Sequence, residues 1–304
     1  MHEKAILITG AAGMLGKDIA QLLAHERGVR SFGIVRSEHQ KCLTDEVVPC
    51  DLTDKENLDR VLRQIDPDVI IHCAAIVDLD RCEKNRHEAD AVHIHATRVL
   101  SRHNAGSTRF IYISTDSVFD GEKGNYSEGA RPAPVNYYAA TKYAGESAAL
   151  EAHASCAVVR TNIYGFHSAI GASLAEWAIR ELSNENSISG FTDVMFNPLY
   201  TKQLARLLIR YFIDTRLNGV WHFGTERFHS KYDFLCMVAT TFGYSSSLVK
   251  RGLIDQFQFA TPRPKDTTLN VSRLKNIAGD VPTLDQGLRE MHKDYSVAFQ
   301  KGTT

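Results

Sequence analysis

Ala5-Ile6-Leu7-Ile8-Thr9-Gly10-Ala11-Ala12-Gly13-Met14-Leu15-Gly16 decides how the rest of this chain is read. An apolar, β-branched run ends in a G-x-x-G-x-x-G turn, and residues 14–25 then carry apolar side chains at helical spacing. Strand, glycine turn and helix, in that order, are what a dinucleotide crevice needs at its first strand-to-helix junction. Gly10 permits the tight turn, Gly13 leaves the backbone free to approach a pyrophosphate, and Gly16 lets the helix lie close on the strand. The first N–H groups of that helix, those of Met14 and Leu15 among them, face the phosphates together with the positive end of the helix dipole.

Outward from this turn the same unit repeats. Strands are predicted at residues 31–35, 47–49, 69–73, 109–114 and 157–160, and helices at 55–65, 87–103 and 138–153. Thr53 or Asp54 supplies an N-cap for the helix starting at Lys55, and Asp66-Pro67 stops it. The alternation predicts an α/β fold, a Rossmann-like doubly wound parallel sheet over residues 1–162. Beyond Arg160 turn signals at Gly165, Gly171, Asn197-Pro198 and Pro262-Arg263-Pro264 break the order, and helices are expected at 173–182, 202–213 and 231–242. Residues 163–304 are therefore expected to be mainly a smaller, C-terminal substrate-binding lobe, with some segments returning to the sheet.

Composition narrows the partners. With 35 Lys and Arg against 36 Asp and Glu over 304 residues, the formal charge of -1 favours neither nucleic acid nor an anionic membrane, so a small molecule is expected. The six cysteines form no C-x-x-C pair and no histidine cluster has ligand spacing, so no metal site is expected. No apolar run reaches the roughly 18 residues of a membrane helix, and the expected location is the cytoplasm. A homodimer is left open by the sequence.

Arg36 follows the second strand, where an NAD site would place an acidic residue for the ribose hydroxyls. A guanidinium there suits a 2′-phosphate, so NADP(H) is expected in preference to NAD(H), the alternative being a solvated surface Arg. Asp51-Leu52 ends the third strand, where it can meet an adenine edge. Ala74-Ala75 after the fourth strand leaves room for the cofactor, or simply packs. Tyr138 and Lys142 stand four residues apart on one predicted helix face, and the ammonium is expected to pull the phenol's pKa down from about 10 toward neutrality. Lys142 is also expected at the nicotinamide ribose. Thr115, at the end of the preceding strand, brings a hydroxyl to the same crevice, where it can hydrogen-bond a reacting carbonyl.

These residues carry a resemblance. The glycine turn, Asp51-Leu52-Thr53-Asp54, Ala74-Ala75, the Ile113-to-Gly121 stretch, Tyr138-x-x-x-Lys142-x-x-Gly145-Glu146 and Arg160-Thr161 resemble the extended short-chain dehydrogenases/reductases, nearest to the dTDP-4-dehydrorhamnose reductase family. The resemblance covers nearly the whole chain. It implies Thr115, Tyr138 and Lys142 as the catalytic set, hydride from NAD(P)H, and a nucleotide-bound 4-keto-6-deoxy-sugar as substrate. Ser117, Phe119, Asn162 and Arg263 are then expected near the sugar nucleotide, Arg263 as a clamp on its diphosphate, the alternative being a solvated loop Arg.

The chain departs from that pattern at Ser117, where the family usually has Tyr, and at Ile163, where it usually has Trp. Residues 193–201 replace the usual Asp-Gln-x-Gly-x-Pro-Thr stretch. A related dehydratase would carry Asp-Glu after its Thr; here Asp116-Ser117 lacks the second carboxylate that water elimination needs. An epimerase needs only the Thr/Tyr/Lys set, but Arg36 leans toward a reductive NADPH enzyme. A different class stays open as well: a non-catalytic, NADP-binding regulatory subunit resembling that of methionine adenosyltransferase, or an NADP sensor.

Overall fold

The computed structural model describes residues 3–300 apart from 38, 41, 153–154, 168–172 and 214–216, and leaves out the side chains of 297–300. His153, the expected end of one helix, and the turn signal Gly171 lie outside the described residues. The first half alternates as expected: β1 (Lys4–Thr9), α1 (Met14–Leu23), β2 (Val29–Val35), β3 (Glu46–Pro49), α2 (Lys55–Ile65), β4 (Val69–His72), α3 (Leu79–Lys84), α4 (Arg86–Asp90), α5 (Ala96–Arg102), β5 (Arg109–Ile113), α6 (Tyr137–Ala152) and β6 (Cys156–Thr161). The second half has shorter strands between its helices: β7 (Ile163–Tyr164), α7 (Leu174–Ser183), β8 (Ile188–Phe191), β9 (Met195–Phe196), β10 (Leu199–Tyr200), α8 (Thr201–Leu208), β11 (Gly219–Phe223), β12 (His229–Ser230), α9 (Lys231–Thr241), β13 (Val249–Gly252), α10 (Ser272–Ala278) and α11 (Leu284–Gln300).

Seven strands form one parallel sheet in the order β11-β6-β5-β4-β1-β2-β3. The order reverses between β1 and β4, the switch point where a crevice opens at the carboxyl ends of the strands. Side chains alternate across the sheet. Ile6, Ile8, Ile71, Ile111 and Val159 pack with Leu15 and Ile19 of α1 and Leu204 and Leu208 of α8, while Leu7, Ile70, Phe110 and Val158 pack with Leu58 and Leu62 of α2 and Ala149 of α6. Both faces are covered, so the strands read as apolar runs. The N-cap of α2 is Asp54, whose carboxylate accepts from Asn57 N–H at 3.1 Å, and Asp66 ends the helix in the left-handed region at φ 46°.

β11 pairs in register with β6, so the second half does return a strand to the sheet. Its remaining pieces surround a separate core in which Ile179, Phe196, Tyr200, Phe234, Val238 and Leu288 meet. One expected helix, 87–103, is interrupted: α4 and α5 are joined by a π-helical turn over Ala91–His95, and α3 precedes them. The turn carries His93, and such insertions often accompany functional sites. A second π turn, Ile209–Ile213, continues α8.

Candidate active site

The glycine turn explains itself atom by atom. Gly10 has φ +65°, and a Cβ on it would lie 2.9 Å from Ala74 Cα. A Cβ on Gly16 would collide with the Gly10 carbonyl and lie 2.8 Å from Ala11 Cα, so this position is closed by the protein itself. At Gly13 the only neighbour within reach among the described residues would be the Gly10 carbonyl oxygen, at 3.0 Å. The protein packs Gly10 and Gly16 but leaves Gly13 facing a cleft of about 350 Å³. Gly10, Gly13, Arg36, Asp51, Leu52, Ala74 and Ala75 all line this cleft. Met14, Leu15 and Gly16 are not among its lining residues: the Leu15 side chain is packed in the core and Gly16 lies against the turn.

Arg36 is exposed at the rim, and its N–H donates to Gln40 Oε1 at 2.8 Å. Gln40, which also lines the cleft, was not singled out by the sequence. Asp51 Oδ1 accepts from the N–H and hydroxyl of Thr53, at 2.9 and 2.8 Å, and these bonds hold the carboxylate below its usual pKa, with Arg36 adding in the same direction.

At the carboxyl end of β5, Thr115 is buried, its hydroxyl donating to Asp116 Oδ1 at 3.2 Å and accepting from Ser117 N–H at 3.1 Å, and it lies near enough to half-buried Tyr138 to act on the phenol. Lys142 is one helical turn along α6 and 2% exposed. Its ammonium donates to the Ile113 carbonyl at 2.7 Å and lies 4.1 Å from the centroid of the Tyr112 ring. Burial pulls it down to about 7, with Glu146 opposing. The expected effect on Tyr138 is absent: burial pushes the phenol well above its ordinary value, the Thr115 hydrogen bond opposes, and Lys142 is not among the groups that move it. The reason is direction, since the ammonium is engaged by a backbone carbonyl rather than by the phenol.

The motif around these residues has structural causes the spacing did not reveal. A Cβ on Gly145 would lie 2.5 Å from the His93 carbonyl, so only glycine lets α6 approach the π turn this closely. Glu146 accepts from Arg160 Nε at 3.0 Å and from Nη2 at 2.6 Å, and from the Ser114 hydroxyl, tying α6 to β5 and β6 through a buried ion pair. His93 Nε2 accepts from Ile76 N–H at 2.9 Å, so its proton is on Nδ1 and donates to Thr141 Oγ1 at 2.8 Å; Thr141 in turn donates to the Tyr138 carbonyl at 3.0 Å. The His93 ring also packs edge-on against Tyr138, 5.8 Å between centroids, and burial pulls its pKa down to about 3. Asn136 accepts from Ala139 N–H at 2.9 Å at the start of α6 and donates to the Pro262 carbonyl at 3.0 Å, which ties the Arg263 loop to this helix.

Asp116, passed over in the sequence except as a missing dehydratase pair, is a buried hub. Oδ2 accepts from Asn162 Nδ2 at 2.9 Å and Thr267 Oγ1 at 2.6 Å, and Oδ1 from Thr115 and Ser117 hydroxyls at 3.2 and 3.3 Å. Ser117 and Asn162 are thus brought together beside Thr115. Phe119 is not with them. It is fully buried, stacked on Tyr126 at 4.1 Å with Arg160 and His222 against its faces and edge, so it is a core residue and not a lining one. Arg263 is exposed, with its guanidinium 4.3 Å from the Phe259 ring centroid.

A parallel doubly wound sheet, a glycine-lined cleft at its switch point and a Thr/Tyr/Lys set at the end of β5 define an extended short-chain dehydrogenase/reductase. The model of the RmlD substrate binding domain matches residues 4–297, and the chain belongs to that family. It is 29% identical to the probable low-salt glycan biosynthesis reductase Agl14 of Haloferax volcanii, over 95% of this chain and 97% of the relative. It is 30% identical to methionine adenosyltransferase 2 subunit beta of Xenopus tropicalis, over 93% and 86% of the two chains. Among solved structures it is similar to the dTDP-4-dehydrorhamnose reductase of Bacillus anthracis in complex with NADP, with TM-score 0.85, 27% identity and coverage of 97% and 99%.

Proposed function

We propose that this chain reduces a keto group on a nucleotide-linked sugar, a 4-keto-6-deoxy-sugar, with NADPH as the electron source. The observation that carries the reading is the Thr115 hydroxyl beside the Tyr138 phenol, with Lys142 one turn along, near a cleft whose glycine turn is least crowded at Gly13. The residues fit a dinucleotide: the backbone at Gly13 is bare on its cleft side, and Arg36 stands at the rim without an acidic residue in its place. Bound there, NADPH supplies the hydride. Gly10 and Gly13 would hold the pyrophosphate, Asp51 and Leu52 the adenine end, Arg36 the 2′-phosphate, and Lys142 the ribose hydroxyls. NADH would fit the same cleft with the guanidinium unanswered.

Thr115 donates a hydrogen bond to the substrate carbonyl and orients it. Tyr138 then gives its proton to the oxygen as negative charge develops there. A phenol held above its ordinary value by burial is fully protonated at neutral pH, which suits reduction better than alcohol oxidation. Ser117 and Asn162, gathered on Asp116, are assigned to the sugar, and Arg263 to the diphosphate; residues beyond 162 supply most of that lobe. We place the reaction in the cytoplasm; among the described residues no helix is long and apolar enough to cross a membrane.

The test is NADPH oxidation by the purified chain against UDP- and dTDP-linked 4-keto-sugars. Turnover of at least one is expected. Tight NADPH binding with no turnover on any of them would instead support a non-catalytic NADP-binding subunit, the reading that the likeness to the Xenopus beta subunit favours.

A further inference from the structure

Lys231 opens α9, and its N–H donates to the Val194 carbonyl at 2.9 Å. Its side chain is half-buried, and the ammonium lies 3.3 Å from the centroid of the buried Phe196 ring. Among the described residues that ammonium has no hydrogen-bond or ion-pair partner in the chain. Lysine is rarely buried without a partner, and a cation in the first turn of a helix opposes the helix dipole. The face of the Phe196 ring answers part of this charge and leaves its three N–H donors unpaired.

Its surroundings say what it faces. The charges it feels are the Asp116 carboxylate, which holds its proton on, and the Arg263 guanidinium, which repels it, and burial leaves it at about 8. Asp116 cannot serve as its partner, because both carboxylate oxygens are already engaged by Thr115, Ser117, Asn162 and Thr267. Strand β9, which carries Phe196, is linked to the same hub: Thr267 N–H donates to the Met195 carbonyl at 3.1 Å and its hydroxyl to Asp116. Asp116 adjoins Thr115, whereas Arg263 stands farther out on an exposed loop. A cation with an aromatic face but no hydrogen-bond acceptor, near both a reaction centre and an outer arginine, is positioned for a doubly charged linker.

We propose that Lys231 and Arg263 together hold the diphosphate of the substrate, Lys231 taking the phosphate next to the sugar and Arg263 the one next to the nucleoside. The inference rests on the nucleotide-sugar reading above and adds to it a requirement for two phosphates: a nucleoside monophosphate leaves one cation unanswered. It also makes Lys231 the residue that registers the sugar over Thr115 and Tyr138.

Calorimetric titration of the full chain, saturated with NADPH, with UDP, dTDP and the corresponding monophosphates tests it. The diphosphates should bind at least tenfold more tightly than the monophosphates. Lys231→Met keeps the stem over Phe196 and removes the charge. It should weaken diphosphate binding about tenfold, narrow the gap to the monophosphates, and leave NADPH affinity in place. Lys231→Arg should recover most of the loss. With a turned-over keto-sugar nucleotide, the Met variant should raise KM more than it lowers kcat. If wild type binds the diphosphates and Lys231→Met binds them equally well, the inference is overturned while the nucleotide-sugar reading stands. If wild type binds no nucleoside diphosphate and reduces no keto-sugar nucleotide, that reading fails and the inference falls with it.

Discussion

The cofactor cleft and the substrate side of the site are built on opposite plans. The cleft is made by backbone: four successive strand ends, at Gly10, Arg36, Asp51 and Ala74, meet along one sheet edge because the chain repeats one unit. The substrate side is made by side chains from distant segments, where Thr115, Asn162 and Thr267 converge on Asp116 across separations of up to 151 residues. A backbone site should resist loss of side-chain atoms and fail when one is added. A side-chain site should fail at single polar groups and at the buried residues that hold them.

The largest expected effect lies beneath the side-chain site. His93 and His222 are buried and neutral, each pulled down to about 3 from 6.5. The unfolded chain protonates both below 6.5 and the folded chain does not, so their contribution is fully present above 6.5 and is lost as pH falls toward 3. At about pH 5 each has removed about 2 kcal/mol, some 4 kcal/mol together. Urea melts at neutral pH and at about pH 5 should show that loss, and His93→Asn should remove its share. A flat profile would mean that these rings titrate normally.

Next comes the cofactor preference at the one side chain assigned to it. Arg36→Asp should move the NADPH-over-NADH preference by about 1.5–3 kcal/mol, the value of a hydrogen bond to a charged group, with turnover of the bound complex little altered. Equal wild-type affinities for the two cofactors would make Arg36 a solvated side chain.

The smallest effect sharpens the contrast most. Gly16→Ala must displace the Gly10 carbonyl and should cost about 1–3 kcal/mol of stability, whereas Gly13→Ala asks that carbonyl to give only slightly and should cost less in folding than in NADPH binding. Melting curves with and without NADPH separate the two. Equal destabilisation by both would contradict the assignment of Gly13 to the ligand.

The same contrast explains what was legible. Spacing alone located the glycine turn, Arg36, Asp51, Ala74 and the Tyr138–Lys142 pair, because each follows a strand or rides one helix face. Glu146 and Arg160 were visible in the motifs, but not their pairing, which depends on α6 crossing β6. His93 was hidden in an expected uninterrupted helix that contains a π turn. Thr267 gave no signal, and Lys231 showed only as the start of a helix, since its neighbours come from two-residue strands such as β9 and β12 that carry no periodicity and meet by long-range pairing. Phe119 misled for the opposite reason: a motif aromatic next to the site is buried under it.

The central claim is that Tyr138 donates the proton while the backbone cleft holds the cofactor independently. Single-turnover reduction of a keto-sugar nucleotide by Tyr138→Phe at saturating NADPH, paired with NADPH titration of the same variant, addresses it directly. The account predicts an unchanged NADPH Kd and a rate lower by about two to four powers of ten; a variant that keeps the wild-type rate would contradict it.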